Sequence, residues 1–558
     1  MSESLDRFFE HYYQRRPVNA TFTGVHEYDS QLPDWSVAGV NAMDDEMRTI
    51  AADLSAEHPA PPLVRGYRDD VNVLDAEIAR SFIDVQLAEN ASRHGVHGNP
   101  ALWTGEAIFS VIALMIRDFA PIDERILNAT RRLEAIPAFL ADAYETVGDS
   151  PIPLAWTAKA LRECDGAAIL LDRGIDHWVD SAATVPARDA RCRIAAARAR
   201  VAVLQFAEWL RTRPVAPESA MACGPALYDL LLARGHHCLR SRADLLGDAH
   251  DAFRRERSRL DAMALDVSDS WRAVQQTLAV DHPAPQDYLD AFARTWTACR
   301  ERAISEDVVT WPDWPIHYAL FPGWTRDAAP YLYYLNYRSP APFDPYTEYD
   351  YVVPPLPSAD SGDAAEQHLR LWNNSVIKLN HVVHHGGIGH HVQNWHAYHR
   401  APSRIGKVAA VDCASRIGMF CGGTMAEGWA CYATAVMEEL GFLSPFERVA
   451  EQHSRVRFLA RAIVDIELHQ GSMSFSDATR FYVEQVGMTA DAAKGEAVKN
   501  SMFPCTAVMY WLGTQGILDL RETLRRRRRS AWSLKAFHDE LLGYGSLPVA
   551  LVARLMTE

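Results

Sequence analysis

The stretch Asn380 to Gln393, reading NHVVHHGGIGHHVQ, limits what this chain can build more than any other. It sets five of the chain's 22 histidines within eleven positions, and His396 and His399 follow shortly after. Imidazole is the commonest protein ligand for zinc and serves several other transition metals, so a cluster this dense reads first as a metal site. On a regular helix His384 and His391, seven apart, share one face, while His381 and His385, four apart, share a neighbouring one. Gly386, Gly387 and Gly389 each cost about 1 kcal/mol relative to alanine in a helix. A distortion is therefore expected between the histidine pairs, and it would allow His390 to reach the face of His384. His390 and His391 both stand as candidates for the second ligand. The plainer alternative is a core helix whose histidines are satisfied by carbonyls and carboxylates.

Around this stretch lies a chain of 558 residues with 48% hydrophobic and 23% charged residues, the balance of a globular protein with an ample core. A formal charge of −16 disfavours nucleic acid or an anionic membrane as partner. No low-complexity linker divides the sequence, so a single large helical domain over 1–558 is expected. Within it, 1–310 form an N-terminal helical half, 311–360 a small β and aromatic segment, and 361–558 the half that carries the metal site. The start, MSESLDRFFEHYYQRR, reads as a helix and not as a signal peptide, and no apolar run is long enough to span a membrane. With nine cysteines and no paired CxxC spacing, these features predict a cytoplasmic protein with reduced thiols.

Apolar residues recurring at three- and four-residue intervals predict helices over 40–56, 69–90, 122–147, 155–180 and 187–211, a helical hairpin over 241–280 and a further helix over 287–304. The segment 17–36, rich in Gly, Pro, Asp and Ser, predicts an ordered loop. Between Pro312 and Pro357 the runs HYALFPGW, PYLYYLNY and YDYVVPP predict a small antiparallel sheet. His94, His97, His236 and His237 sit beside glycines and read as loop or helix-end residues. Cys421 and Cys431 flank Glu427 and read as small buried hydrophobes. The run Arg525 to Arg529 reads as a solvated helix end.

Four blocks in order carry a resemblance to a known family. His384 to Gln393 looks like a degenerate copy of an HExxPGHHxQ signature. Glu427, Gly428, Trp429, Ala430 and Tyr432 match EGWAxY, and Arg461 to His469 (RAIVDIELH) resembles R-A-x-V-D-x-x-x-H. Phe537, His538, Asp539, Gly545, Leu547 and Pro548 match a FHD…GxLP block. Together they resemble the bacterial family called domain of unknown function 885, a set of mostly helical metallopeptidase-like proteins. The resemblance implies a glutamate-zincin-like fold with the small sheet beside the cleft, where residues 331–337 would offer backbone groups to an extended ligand. It also implies a divalent metal, zinc in the first instance, held by His384, by His390 or His391, and by Glu427, which lies 37 residues beyond His390 (427 − 390).

Two departures from the family pattern bear on the chemistry. Where the signature has a glutamate as general base, this chain has His385, whose imidazole can also accept a proton. Where the family tends to E-V-x-R-Y, Glu496 to Asn500 read EAVKN, so Lys499 and Asn500 replace a guanidinium and a phenol. Lys499, Asn500 and Tyr510 are the candidate substrate contacts. His469 is a second catalytic candidate, with Asp465 placed to orient a histidine and an Arg461–Asp465 ion pair as the structural alternative. The leading expectation is a metal-dependent enzyme that hydrolyses an amide or peptide-like bond of a small substrate. A repurposed non-hydrolytic centre, with iron in place of zinc, and an inactive scaffold are the alternatives.

Overall fold

The computed structural model describes residues 2–61, 63–332, 337–338, 341–345, 349–357, 363–414 and 416–558, without the side chains of 337, 338 and 349. Its contacts group into two compact units. One comprises Met1–Cys223, Phe321–Thr347 and Val411–Phe420, the other Gly224–Leu320, Glu348–Ala410 and Cys421–Glu558. Both are mostly helical.

The first unit contains α1 (Glu3–Arg15), α2 (Pro17–Thr23), α3 (Val71–Asn90), α4 (Pro100–Met115), α5 (Ile122–Thr146), α6 (Leu154–Ile169) and α7 (Pro186–Arg211). The periodic stretches become helices close to their expected bounds. The segment expected to be a loop after Pro17 instead opens with α2, because proline at the first helical position needs no amide partner and presets the backbone. The helix α4 gave no periodic signal because every one of its residues is buried, so no polar face marks its turns. Two short parallel strands, β1 (Ile152–Pro153) and β2 (Val215–Ala216), also lie in this unit.

The second unit holds α8 (Tyr288–Ser305), β3 (Ile316–Leu320), β4 (Tyr349–Val353), α9 (His390–Arg400), α10 (Gly423–Glu439), α11 (Pro445–Gln470), α12 (Ala490–Met502), α13 (Met509–Arg528) and α14 (Leu534–Gly543). The helix that carries Glu427 begins at Gly423, and residues 411–420 belong to the first unit. β3 and β4 pair in parallel, with Ile316 beside Tyr349 and Leu320 beside Val353, not antiparallel as the sequence suggested. The reason lies in the connection: a long excursion separates the strands, and a crossover of that length returns the chain in the same direction where a tight hairpin would reverse it. Of the stretch 331–337 expected to meet a ligand, residues 333–336 lie outside the described residues.

Preceding α9, residues Ile377–Gly386 form a widened π-type helix. Such widening is rare and recurs at functional sites. The chain then leaves helical geometry, with the Gly387 amide bonding the Val382 carbonyl and the Gly389 amide that of Val383, before α9 starts at His390. Glycine is required at 389, where a Cβ would stand 1.8 Å from the His384 carbonyl oxygen. Breaking the helix frees carbonyls that need donors. Two indoles, the half-buried Trp296 and the buried Trp429, supply them: Trp296 Nε1 donates to Gly386 O at 2.8 Å, and Trp429 Nε1 donates to Ile388 O at 2.8 Å and Gly389 O at 3.2 Å.

Candidate metal centre

Six residues separate His384 from His390, about 240° around a regular helix, so a continuous helix would point them apart. The break at Gly387–Gly389 reverses this. Ring centroids of His384 and His390 lie 4.9 Å apart, those of His384 and His385 4.7 Å, and those of His385 and His390 5.3 Å. One nitrogen from each of the three imidazoles falls within 4.8 Å of the other two.

Glu427 comes to this cluster from the first turns of α10. Its Oε2 lies 3.4 Å from His384 Nε2 and 3.8 Å from His390 Nε2, and has no well-aligned hydrogen bond among the described residues. Oε1 accepts from the Tyr510 hydroxyl at 3.1 Å. Burial works to raise the Glu427 carboxyl, but the imidazoles of His384 and His390 and the Lys499 charge outweigh it and hold the group well below the ordinary carboxylate range. Burial holds His390 down at about 4 although Glu427 opposes it, and burial with the charges of His384 and His390 puts His385 well below its usual value. A metal site requires neutral imidazoles beside an ionised carboxylate, and burial works in that direction on His390 and His385. His385 is oriented by a 2.6 Å hydrogen bond between Nδ1 and the Asn380 carbonyl, which makes Nδ1 the donor and leaves Nε2 with its lone pair. An orphaned carboxylate oxygen beside imidazole nitrogens fits a divalent cation of the zinc or iron type.

The other candidates occupy different places. His391 points away from the cluster into a fully buried pocket between Trp296, Trp311 and Trp314, with centroid distances of 6.5, 6.5 and 6.2 Å. There it bonds the Trp314 backbone, and burial pushes it down to about 3. His469 and Asn500 meet inside the helix packing, where His469 Nε2 donates to the Asn500 carbonyl at 2.8 Å and both residues are buried. Asp465 bonds the amides of Cys505 and Val508 at 3.1 and 2.9 Å and so pins the turn before α13. Arg461 pairs with Glu496, not with Asp465. Lys499 is exposed on α12, close enough to act electrostatically on Glu427. Tyr510, stacked on Phe458 at 5.2 Å, is the substrate-contact candidate that the fold brings directly to Glu427.

The remaining blocks brace the centre. Tyr432 bonds His538 Nε2 at 2.8 Å, and His538 Nδ1 donates to the Val308 carbonyl at 2.6 Å. Asp539 accepts from the Thr310 amide and hydroxyl at 2.8 and 2.7 Å. The EGWAxY and FHD blocks thus fix the strand-ward loop that carries Trp311 and Trp314. The role of Trp296 was not legible from the sequence, because nothing local marks an indole as the donor to a carbonyl 90 residues away.

The profile of a family described as "Bacterial protein of unknown function (DUF885)" matches residues 17–556. Two solved structures resemble the chain over 100% of its length and 99% of theirs, each with a TM-score of 0.77. One is a putative lipoprotein of unknown function from Shewanella oneidensis, 20% identical, and the other the putative lipoprotein from Colwellia psychrerythraea, 17% identical. Among curated proteins none matches. The expected cytoplasmic location is corrected by these neighbours: proteins of the same fold bear lipoprotein descriptions, so the lack, among the described residues, of a helix long and apolar enough to cross a membrane does not assign a compartment.

Proposed function

The chain belongs to the DUF885 family of bacterial proteins of unknown function, and on that premise we propose that it is a metal-dependent hydrolase acting on an amide or peptide-like bond of a small substrate. The observation that carries this reading is the convergence of His384, His390 and the unsatisfied Oε2 of Glu427. These three residues would hold the cation. A divalent metal bound there supplies Lewis acidity toward a carbonyl and lowers the pKa of water. His385, with Nε2 kept unprotonated by the Asn380 carbonyl, accepts a proton in place of the glutamate the signature would carry. Tyr510 holds the Glu427 carboxylate in orientation and places a hydroxyl beside the reacting group, and the exposed Lys499 offers a positive charge to an anionic part of the substrate.

A second reading has its own observation. Because His385 sits within ligand distance of His384 and His390, the cation can also be taken by three imidazoles and one carboxylate, a nitrogen-rich shell suited to iron and to non-hydrolytic chemistry. Elemental analysis of the purified protein separates the two: zinc supports hydrolysis, iron the alternative. In His384→Ala and Glu427→Ala the metal content is expected to fall to a small fraction of the parent's. If both variants keep the parent's full content, the ligand assignment is wrong.

A further inference from the structure

The first unit contains a cavity of about 60 Å³ whose lining includes Arg16, Asn19, Gln86, Asn90, Glu106 and Arg416. That is room for about four to six water-sized groups. Most of the polar lining is already engaged. Arg416 donates to both oxygens of Glu89 at 2.9 and 3.0 Å, Asn19 donates to the Tyr12 hydroxyl at 3.3 Å, Gln86 to Glu89 at 3.0 Å and Asn90 to Asp44 at 2.7 Å. Arg15, which also lines the cavity, pairs with Glu46.

Two groups are different. The Glu106 carboxyl on α4, with 8% of its surface exposed, has no hydrogen bond or ion pair among the described residues. The Arg16 guanidinium, between α1 and α2, is held over the rings of Tyr12 at 5.3 Å and Phe82 at 5.1 Å, and its buried Nη1 has no partner among the described residues. Opposite charges taken out of water attract strongly and are costly to leave unpaired. Arg16 and Glu106 nevertheless do not pair, because the ring stacking fixes the guanidinium and the buried backbone of α4 fixes the carboxyl. The cavity that both of them line is therefore a receptor with one cationic and one anionic wall.

We propose that this cavity binds a small zwitterion of the α-amino-acid class, its carboxylate on Arg16 and its ammonium on Glu106. Its volume matches the few heavy atoms of glycine, alanine or serine. Water alone fills such a space but leaves both charges uncompensated, whereas an amino acid satisfies the two at once. The proposal concerns the first unit only and does not depend on the metal centre.

Isothermal titration of the purified full chain with glycine, alanine and serine tests it, with acetate and methylammonium as single-charge controls. A saturable one-site isotherm is expected for at least one amino acid, with either control weaker by about tenfold or more. Glu106→Gln is expected to weaken the amino acid by about tenfold or more while leaving the circular dichroism spectrum unchanged. Arg16→Lys, which keeps the charge but loses the fork, is expected to weaken it less than Arg16→Gln. Absence of saturable heat with all three amino acids, affinity unchanged in Glu106→Gln, or controls that bind as tightly as the zwitterions would each overturn the proposal.

Discussion

Glu106 is a side chain whose charge the fold opposes. Burial raises its carboxyl to about 7 even though Arg132, Arg416 and Arg16 pull it down. An acid whose folded value lies above its unfolded value of roughly 4.5 binds its proton more tightly in the folded state. Its contribution is therefore neutral below about pH 4.5 and becomes a growing penalty as pH rises through 7, reaching at most about 3 kcal/mol. Chemical denaturation of the unliganded protein across that window is expected to show Glu106→Gln gaining stability relative to the parent as pH rises, with no difference at the acidic end. A parent and variant that run parallel with pH would mean that Glu106 is ionised at no cost.

At the scale of elements, the centre depends on two close approaches made possible by glycine. One is the break before α9. The other is the crossing of α10 and α13, where a Cβ on Gly428 would lie 2.5 Å from the Gly513 backbone and a Cβ on Gly513 would lie 2.0 Å from the Thr424 carbonyl oxygen. Gly428 directly follows Glu427, and Tyr510 lies in the first turn of α13, so this contact sets the distance between carboxylate and phenol. Gly513→Ala must push the helices apart. The expected cost is about 1–3 kcal/mol of stability, as for overpacked interiors. Zinc affinity should fall with it, whereas Gly495→Ala, which meets nothing within 4 Å inside α12, is expected to add up to about 1 kcal/mol of stability and to leave zinc affinity unchanged. Competition titration against a fluorescent chelator measures this, and equal affinities in the two variants would refute the coupling. The EGW segment was recognisable in the chain, but a helix crossing depends on what lies opposite, and no local pattern marks Gly513 as that neighbour.

At the scale of the molecule, the proposed centre lies wholly in the unit formed by Gly224–Leu320, Glu348–Ala410 and Cys421–Glu558. Metal that binds the folded state alone stabilises it by mass action, about 2.7 kcal/mol when free metal is one hundred times its dissociation constant. Hydrogen exchange in saturating zinc is thus expected to slow at 377–400 and 423–439, and the slowing is expected to vanish in His384→Ala. Protection that persists in this variant would place the ion elsewhere.

Sequence by itself determined the helical class of the chain, its membership of a family through four ordered blocks, and three imidazoles and one carboxylate worth placing together. Those properties follow from side-chain periodicity and residue type, which are local. Tertiary structure alone decided that His390 and not His391 faces His384, that His385 joins them, that Asp465 and His469 are buried within the helix packing, and that strands β3 and β4 run parallel. Each of these turns on where a broken helix or a long connection sends the chain next. That direction is set by indoles, glycine contacts and buried carbonyls contributed from far along the sequence.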